Sequence, residues 1–152
     1  MKYKNFNKEI KIEKRMLISE FSKEVKASEV KIWQIYTDVE NWKEWIDGVE
    51  YSTIDGNFED GALVTIKNIN KPKSSSPLKD VVVNKSFVLQ VKMPLSRADF
   101  IHEIIKDNDV TKVRFAVEIT GVLAFFFRAI FKKSVTKSLP IVAQKVAELS
   151  EK

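Results

Sequence analysis

A change of hydrophobic period at Gly121 constrains this chain more than any other feature. Ahead of it, Val113, Phe115, Val117 and Ile119 alternate with Arg114, Ala116, Glu118 and Thr120, the pattern of a strand with one buried and one wet face. Beyond it, Phe127, Phe131, Val135, Leu139, Val142, Val146 and Leu149 fall in one stripe, opposite Arg128, Lys132, Lys133, Thr136, Lys137 and Gln144. The spacing predicts one helix over Val122–Ser150, about 43 Å long at helical rise. Pro140 lies inside it and is expected to kink it, because its ring removes one hydrogen bond and crowds the preceding turn.

The rest of the chain supplies what such a helix needs to cover. Leu17–Lys26 reads as a strand with Leu17, Phe21 and Val25 on one face. Ser28 then caps a helix over Ser28–Thr37, with Glu29 near its positive end, and Val39–Trp45 reads as a second short helix. Six strands follow: Val49–Ile54, Ala62–Ile69, Leu78–Val83, Phe87–Met93, Ala98–Ile105 and Val110–Thr120. Lys71–Pro77, with three serines between two prolines, reads as an exposed loop. The predicted fold class is α+β, a seven-stranded curved antiparallel sheet around a long C-terminal helix, with two short helices after the first strand. A strongly bent sheet of this size rarely closes tightly over one helix, so a cavity is expected between them.

At 152 residues the chain fits one domain, read here as 17–152 behind a basic arm at 1–16. Lys2, Lys4, Lys8, Lys11, Lys14 and Arg15 face only Glu9 and Glu13 in that arm, and the whole chain carries +5. A solvated tail is the simplest reading; contact with phosphates or anionic lipid is the alternative. Phe is over-represented at 10 copies, which means a bulky core or a lined pocket. The chain contains no Cys, excluding disulfides, thiol nucleophiles and thiolate metal sites. The longest apolar run, Val122–Phe127, stops at Arg128, far short of a membrane span, and no signal-peptide core is visible. A soluble, cytoplasmic protein is expected. The sequence carries no nucleotide-binding glycine spacing, no nucleophile elbow and no cluster of metal-ligating residues, so neither cofactor nor metal is expected.

The run Ala27-Ser28-Glu29-Val30-Lys31-Ile32-Trp33, followed by Thr37-Asp38-Val39-Glu40-Asn41-Trp42-Lys43-Glu44-Trp45, resembles the opening of the SRPBCC superfamily. That superfamily holds the START-related, birch-allergen-like and polyketide cyclase/dehydrase proteins. Ser28 stands at its usual Pro, and Ile32 precedes the first Trp. Gly61 before a strand, and Glu118-Ile119-Thr120-Gly121 before a final helix containing Phe127-Arg128, resemble the polyketide-cyclase-like branch. The resemblance runs from about Leu17 to Leu149. It implies the helix-grip fold and a hydrophobic tunnel between sheet and helix.

Strand alternation assigns the wall of that cavity to Val64, Ile66, Leu89, Val91, Phe100, His102, Ile104, Phe115, Val117, Phe127, Phe131 and Val135. The leading function is binding of a hydrophobic small molecule, lipid-like or aromatic. His102, the single histidine, is the candidate catalytic residue if the protein is instead a cyclase or dehydratase on a polyketide-like substrate. Trp42 and Trp45 either pack the short helices or shape the mouth. Phe125, Phe126 and Phe127 cannot all face one way on a helix; with Arg128, Lys132 and Lys133 they could form a lip that touches a membrane surface transiently. Nucleic acid is a third, less favoured partner, since no aromatic-plus-basic strand motif is present.

Overall fold

The computed structural model describes residues 15–152, so the basic arm through residue 14 lies outside the described residues. Seven strands, β1 (Met16–Val25), β2 (Val49–Ile54), β3 (Leu63–Asn68), β4 (Ser74–Val82), β5 (Ser86–Met93), β6 (Ser96–Asp107) and β7 (Val110–Gly121), pair antiparallel throughout. Their order across the sheet is β1-β7-β6-β5-β4-β3-β2, a meander whose first strand returns to pair with its last. Helix α1 (Glu29–Thr37) and a 3-10 turn (Val39–Glu44) follow β1, and helix α2 (Ala124–Ser150) ends the chain.

Local signals act as expected at α1: the Ser28 hydroxyl accepts the Lys31 amide at 3.2 Å, and Glu29 sits in the first turn. The second short helix is of the 3-10 type. It is fixed from inside by Trp42 Nε1, which donates to the Tyr36 carbonyl at 2.9 Å, and by the Ser52 hydroxyl, which donates to the Val39 carbonyl at 2.6 Å.

Two local expectations are corrected. Lys71–Pro77 is not wholly loop: Ser74, Ser75 and Ser76 pair with Ile66, Thr65 and Val64, so β4 begins at Ser74. Pro77 is tolerated because β4 pairs with β5 only from Leu78 onward, and a missing amide costs no ladder bond on that side. In β1, a bulge between Leu17 and Ser19 inserts Ile18 into the core and turns Leu17 outward, so Leu17 does not share a face with Phe21.

Gly121 is required where it stands. Its φ is +123°, and a β-carbon there would lie 2.5 Å from the Leu95 carbonyl oxygen in the β5–β6 turn. The turn and the start of α2 are therefore pressed together at one end of the sheet.

Helix α2 is not centred over the sheet. The Arg128 guanidinium donates to the Leu17 carbonyl at 3.0 Å, the Thr136 and Ser19 hydroxyls meet at 3.1 Å, and the Lys26 amide donates to Glu151 at 2.9 Å. These bonds tie the helix along the edge strand β1. Its C-terminal half packs fully, burying Leu139, Ala143, Val146 and Ala147, while of the residues between Phe125 and Ser138 none is fully buried. The core accordingly fills one end of the molecule with Ile32, Trp33, Tyr36, Trp42, Trp45, Phe87 and Phe115. At the other end, β5 and β6 face a hollow.

Candidate functional site

The hollow has three lobes that share Phe100, each of a few hundred cubic ångströms. One, about 250 Å³, is wholly apolar and lies under the N-terminal half of α2 between Ile18, Met93, Ile119 and Phe131. A second, about 190 Å³, lies between Trp45, His102, Phe115 and Leu139. The third, about 260 Å³, runs toward β3 and β4 between Trp42, Ile66, Asn68, Ser74 and Ser76. Val91, Val117, Val135, Ile46 and His102 each border two of the lobes. Together the lobes are of the size that admits a small organic molecule.

Nine of the twelve residues assigned to the wall by alternation border these lobes: Ile66, Leu89, Val91, Phe100, His102, Phe115, Val117, Phe131 and Val135. Val64 and Ile104 point inward as expected but are sealed in the filled end of the core. Phe127 borders none of the lobes; its ring stacks on that of Phe131, with centroids 6.0 Å apart. Among the lining residues that sequence reasoning missed are Ile18, Ile46, Asn68, Ser74, Ser76, Met93 and Ile119. The period-two signal could have found Asn68, Ser74 and Ser76 only if polar residues had been allowed on an inward face.

His102 sits where two lobes meet the aromatic core. Its ring lies flat on Phe87 at 4.1 Å and meets Tyr36, Trp45 and Phe115 edge-on at 5.9, 5.9 and 5.5 Å. Nδ1 is 3.1 Å from the Phe100 carbonyl, which assigns the proton to that nitrogen as donor. Burial pushes the imidazole pKa down to about 4 against the smaller opposing pull of backbone carbonyls, so the ring is uncharged at neutral pH. Burial and the nearby Glu103 also hold the Tyr36 phenol protonated. Trp42 and Trp45 do both jobs expected of them: each is buried in the packing, with Trp42 stacked on Phe87 at 5.9 Å, and each also borders a lobe.

The chemistry available here is that of shape and neutral hydrogen bonding. Among the described residues, no group of three or more acidic or histidine side chains could hold a metal ion, and no helix is long and apolar enough to cross a membrane.

No family model and no curated protein matches the chain by sequence. Solved structures do. The di-domain ARO/CYC StfQ from the steffimycin biosynthetic pathway superposes with a TM-score of 0.71 at 8% identity over 90% of this chain, which spans about half (51%) of StfQ. Norcoclaurine synthase from Thalictrum flavum gives 0.66 at 15% identity, over 90% of this chain and 87% of that one. Ara h 8.0201 gives 0.60 at 11% identity, over 89% and 99%. At such identities the likeness speaks for the fold alone. The chain has the helix-grip fold.

Proposed function

We propose that this protein binds a hydrophobic small molecule in the hollow between its sheet and the N-terminal half of α2. The observation that carries the reading is the lateral placement of α2 along β1, which leaves Phe100, Val91 and Val117 facing space rather than side chains. Burying an apolar guest there recovers roughly 25 cal/mol for each Å² removed from water. The fold neighbours named for cyclase and synthase activities are consistent with an occupied hollow. Extraction of the purified protein followed by mass spectrometry, with saturable Nile red binding, tests it. Neither co-purified guest nor saturable dye would overturn the reading.

The enzyme alternative places His102 as a general base. It has less support, because an imidazole with its pKa near 4 is a weak base at neutral pH and its Nδ1 is committed to Phe100. Should turnover of an aromatic substrate be found, His102→Ala is expected to abolish it while binding persists.

We further propose that guests enter from an anionic lipid surface. Leu95, Val122 and Phe125 are 70%, 83% and 73% exposed and, with Phe126 and Ile130, form a lip beside the apolar lobe bordered by Phe131 and Met93. Helix α2 carries Arg128, Lys132, Lys133 and Lys137 beside this lip, with no acidic residue from Val122 to Ala147. Apolar side chains flanked by cations suit anionic headgroups, whereas a second copy would set Lys132 and Lys133 against their own counterparts. Co-sedimentation with phosphatidylcholine vesicles containing phosphatidylglycerol is the test. Binding is expected to weaken about tenfold in Phe125→Ser/Phe126→Ser and to fall as salt rises. Equal binding to purely zwitterionic vesicles, insensitive to salt, would overturn it.

A further inference from the structure

All three lobes are bare of cations. Among the described residues, no Lys or Arg borders any of them, and the one charged side chain that does, Asp47, is ion-paired with Lys145. A buried carboxylate or phosphate would lose its hydration and meet no counter-charge, which strongly disfavours its binding there. His102 does not relieve this, being uncharged at neutral pH.

The lobe toward β3 and β4 nevertheless holds polar groups that lack partners of their own. Ser74 and Ser76 alternate with the outward Ser75, whose hydroxyl meets that of Thr65 at 2.7 Å. The Ser74 and Ser76 hydroxyls and the Asn68 amide, by contrast, make no hydrogen bond to any other described residue, although Ser76 is only 6% exposed. The recorded β4–β5 register ends at Leu78–Leu89, so Ser76 and Val91 line the lobe instead of pairing across it. Ser76 is buried and Asn68 half-buried, while Ser74 opens to solvent; with no partner within the chain, the three side chains are free to turn to a guest in the lobe.

We infer that the guest is electrically neutral and oxygenated, with its carbonyl or hydroxyl end among Asn68, Ser74 and Ser76 and its apolar body under α2. The inference rests on the hollow being a ligand site and narrows which ligands it takes. Fatty acids and phospholipid headgroups are rejected by the absence of a cation, while neutral polycyclic ketones, phenols and sterol-like alcohols are accepted. Hydrogen bonding at this end fixes the orientation of the molecule; the apolar lobe supplies most of the affinity.

The test uses the full chain and three molecules that share one ring system: 2-acetylnaphthalene, 2-naphthoate and naphthalene, each competed against Nile red. At pH 8, 2-acetylnaphthalene is expected to bind at least tenfold more tightly than 2-naphthoate. Between pH 8 and pH 5.5 the affinity for 2-naphthoate should rise about tenfold per unit, tracking its protonated fraction, while that for 2-acetylnaphthalene stays level. Asn68→Ala with Ser76→Ala should cost 2-acetylnaphthalene roughly three- to tenfold and leave naphthalene unchanged, the loss of neutral hydrogen bonds. Thermal unfolding of the double variant verifies that it folds. Naphthoate binding as tightly as the ketone at pH 8, or a double variant that weakens all three equally or none, overturns the inference. Failure of Nile red itself to bind saturably strikes the ligand-site reading first.

Discussion

His102 shows how a single residue can be read in two ways until its surroundings are known. On sequence alone it is a lone imidazole on an inward-facing strand position; in the structure it is an aromatic ring among aromatic rings, 8% exposed and flat against Phe87. Its folded pKa of about 4 lies below the unfolded value near 6.5, so the unfolded chain binds the extra proton. Stability is therefore complete above pH 6.5 and is lost as pH falls toward 4, by about 3 kcal/mol at the acid end. His102→Phe is expected to flatten that acid limb in urea melts recorded from pH 7 to pH 4; an unchanged limb would place the acid sensitivity elsewhere. Leu95 illustrates strain at the same scale. It adopts φ +50° while 70% exposed, a conformation costing a non-glycine residue roughly 1–2 kcal/mol. Leu95→Asn should raise the melting temperature by about 2–4 °C, since Asn accepts this region more readily, and at the same time weaken vesicle binding. A gain in stability without loss of vesicle binding would remove Leu95 from the lip.

At the scale of elements, α2 separates a packed half from an unpacked one. The sequence stripe from Phe127 to Leu149 predicts a uniformly buried face, yet full burial starts only at Leu139. The stripe reports which side of a helix is apolar, not how far that side stands from the sheet. That distance is set by the bonds from Arg128 and Thr136 to β1 and from Glu151 to Lys26 just beyond it, more than a hundred residues earlier. Two enlarging substitutions distinguish the halves. Val135→Phe projects into free volume and should leave stability unchanged or raise it slightly, while displacing Nile red. Ala143→Leu enters close-packed core and should cost about 1–3 kcal/mol. Equal destabilisation by both, read by chemical denaturation, would mean that no hollow underlies α2. The β4 strand carries a similar lesson: Pro77 and the serines read as loop because a proline usually ends a ladder, but this one stands where β4 takes on its second partner.

For the whole molecule, the order of the elements and the presence of a long final helix were legible before any coordinates. Each follows from a period in the sequence: two residues for a strand with one buried face, 3.6 for a helix lying on it. Periodicity acts between neighbours, so the chain states it locally. The same signal placed nine residues on the wall of the hollow, and it missed Asn68, Ser74 and Ser76 because a polar side chain on an inward face looks like a break in the pattern rather than part of a site. What only the tertiary structure decided is where the interior is empty. Which inward residues meet a partner and which meet space depends on the bulge at Ile18, on the shortened β4–β5 ladder and on the lateral seat of α2. These are distances between segments far apart in the chain, and a linear pattern of polar and apolar residues does not encode them.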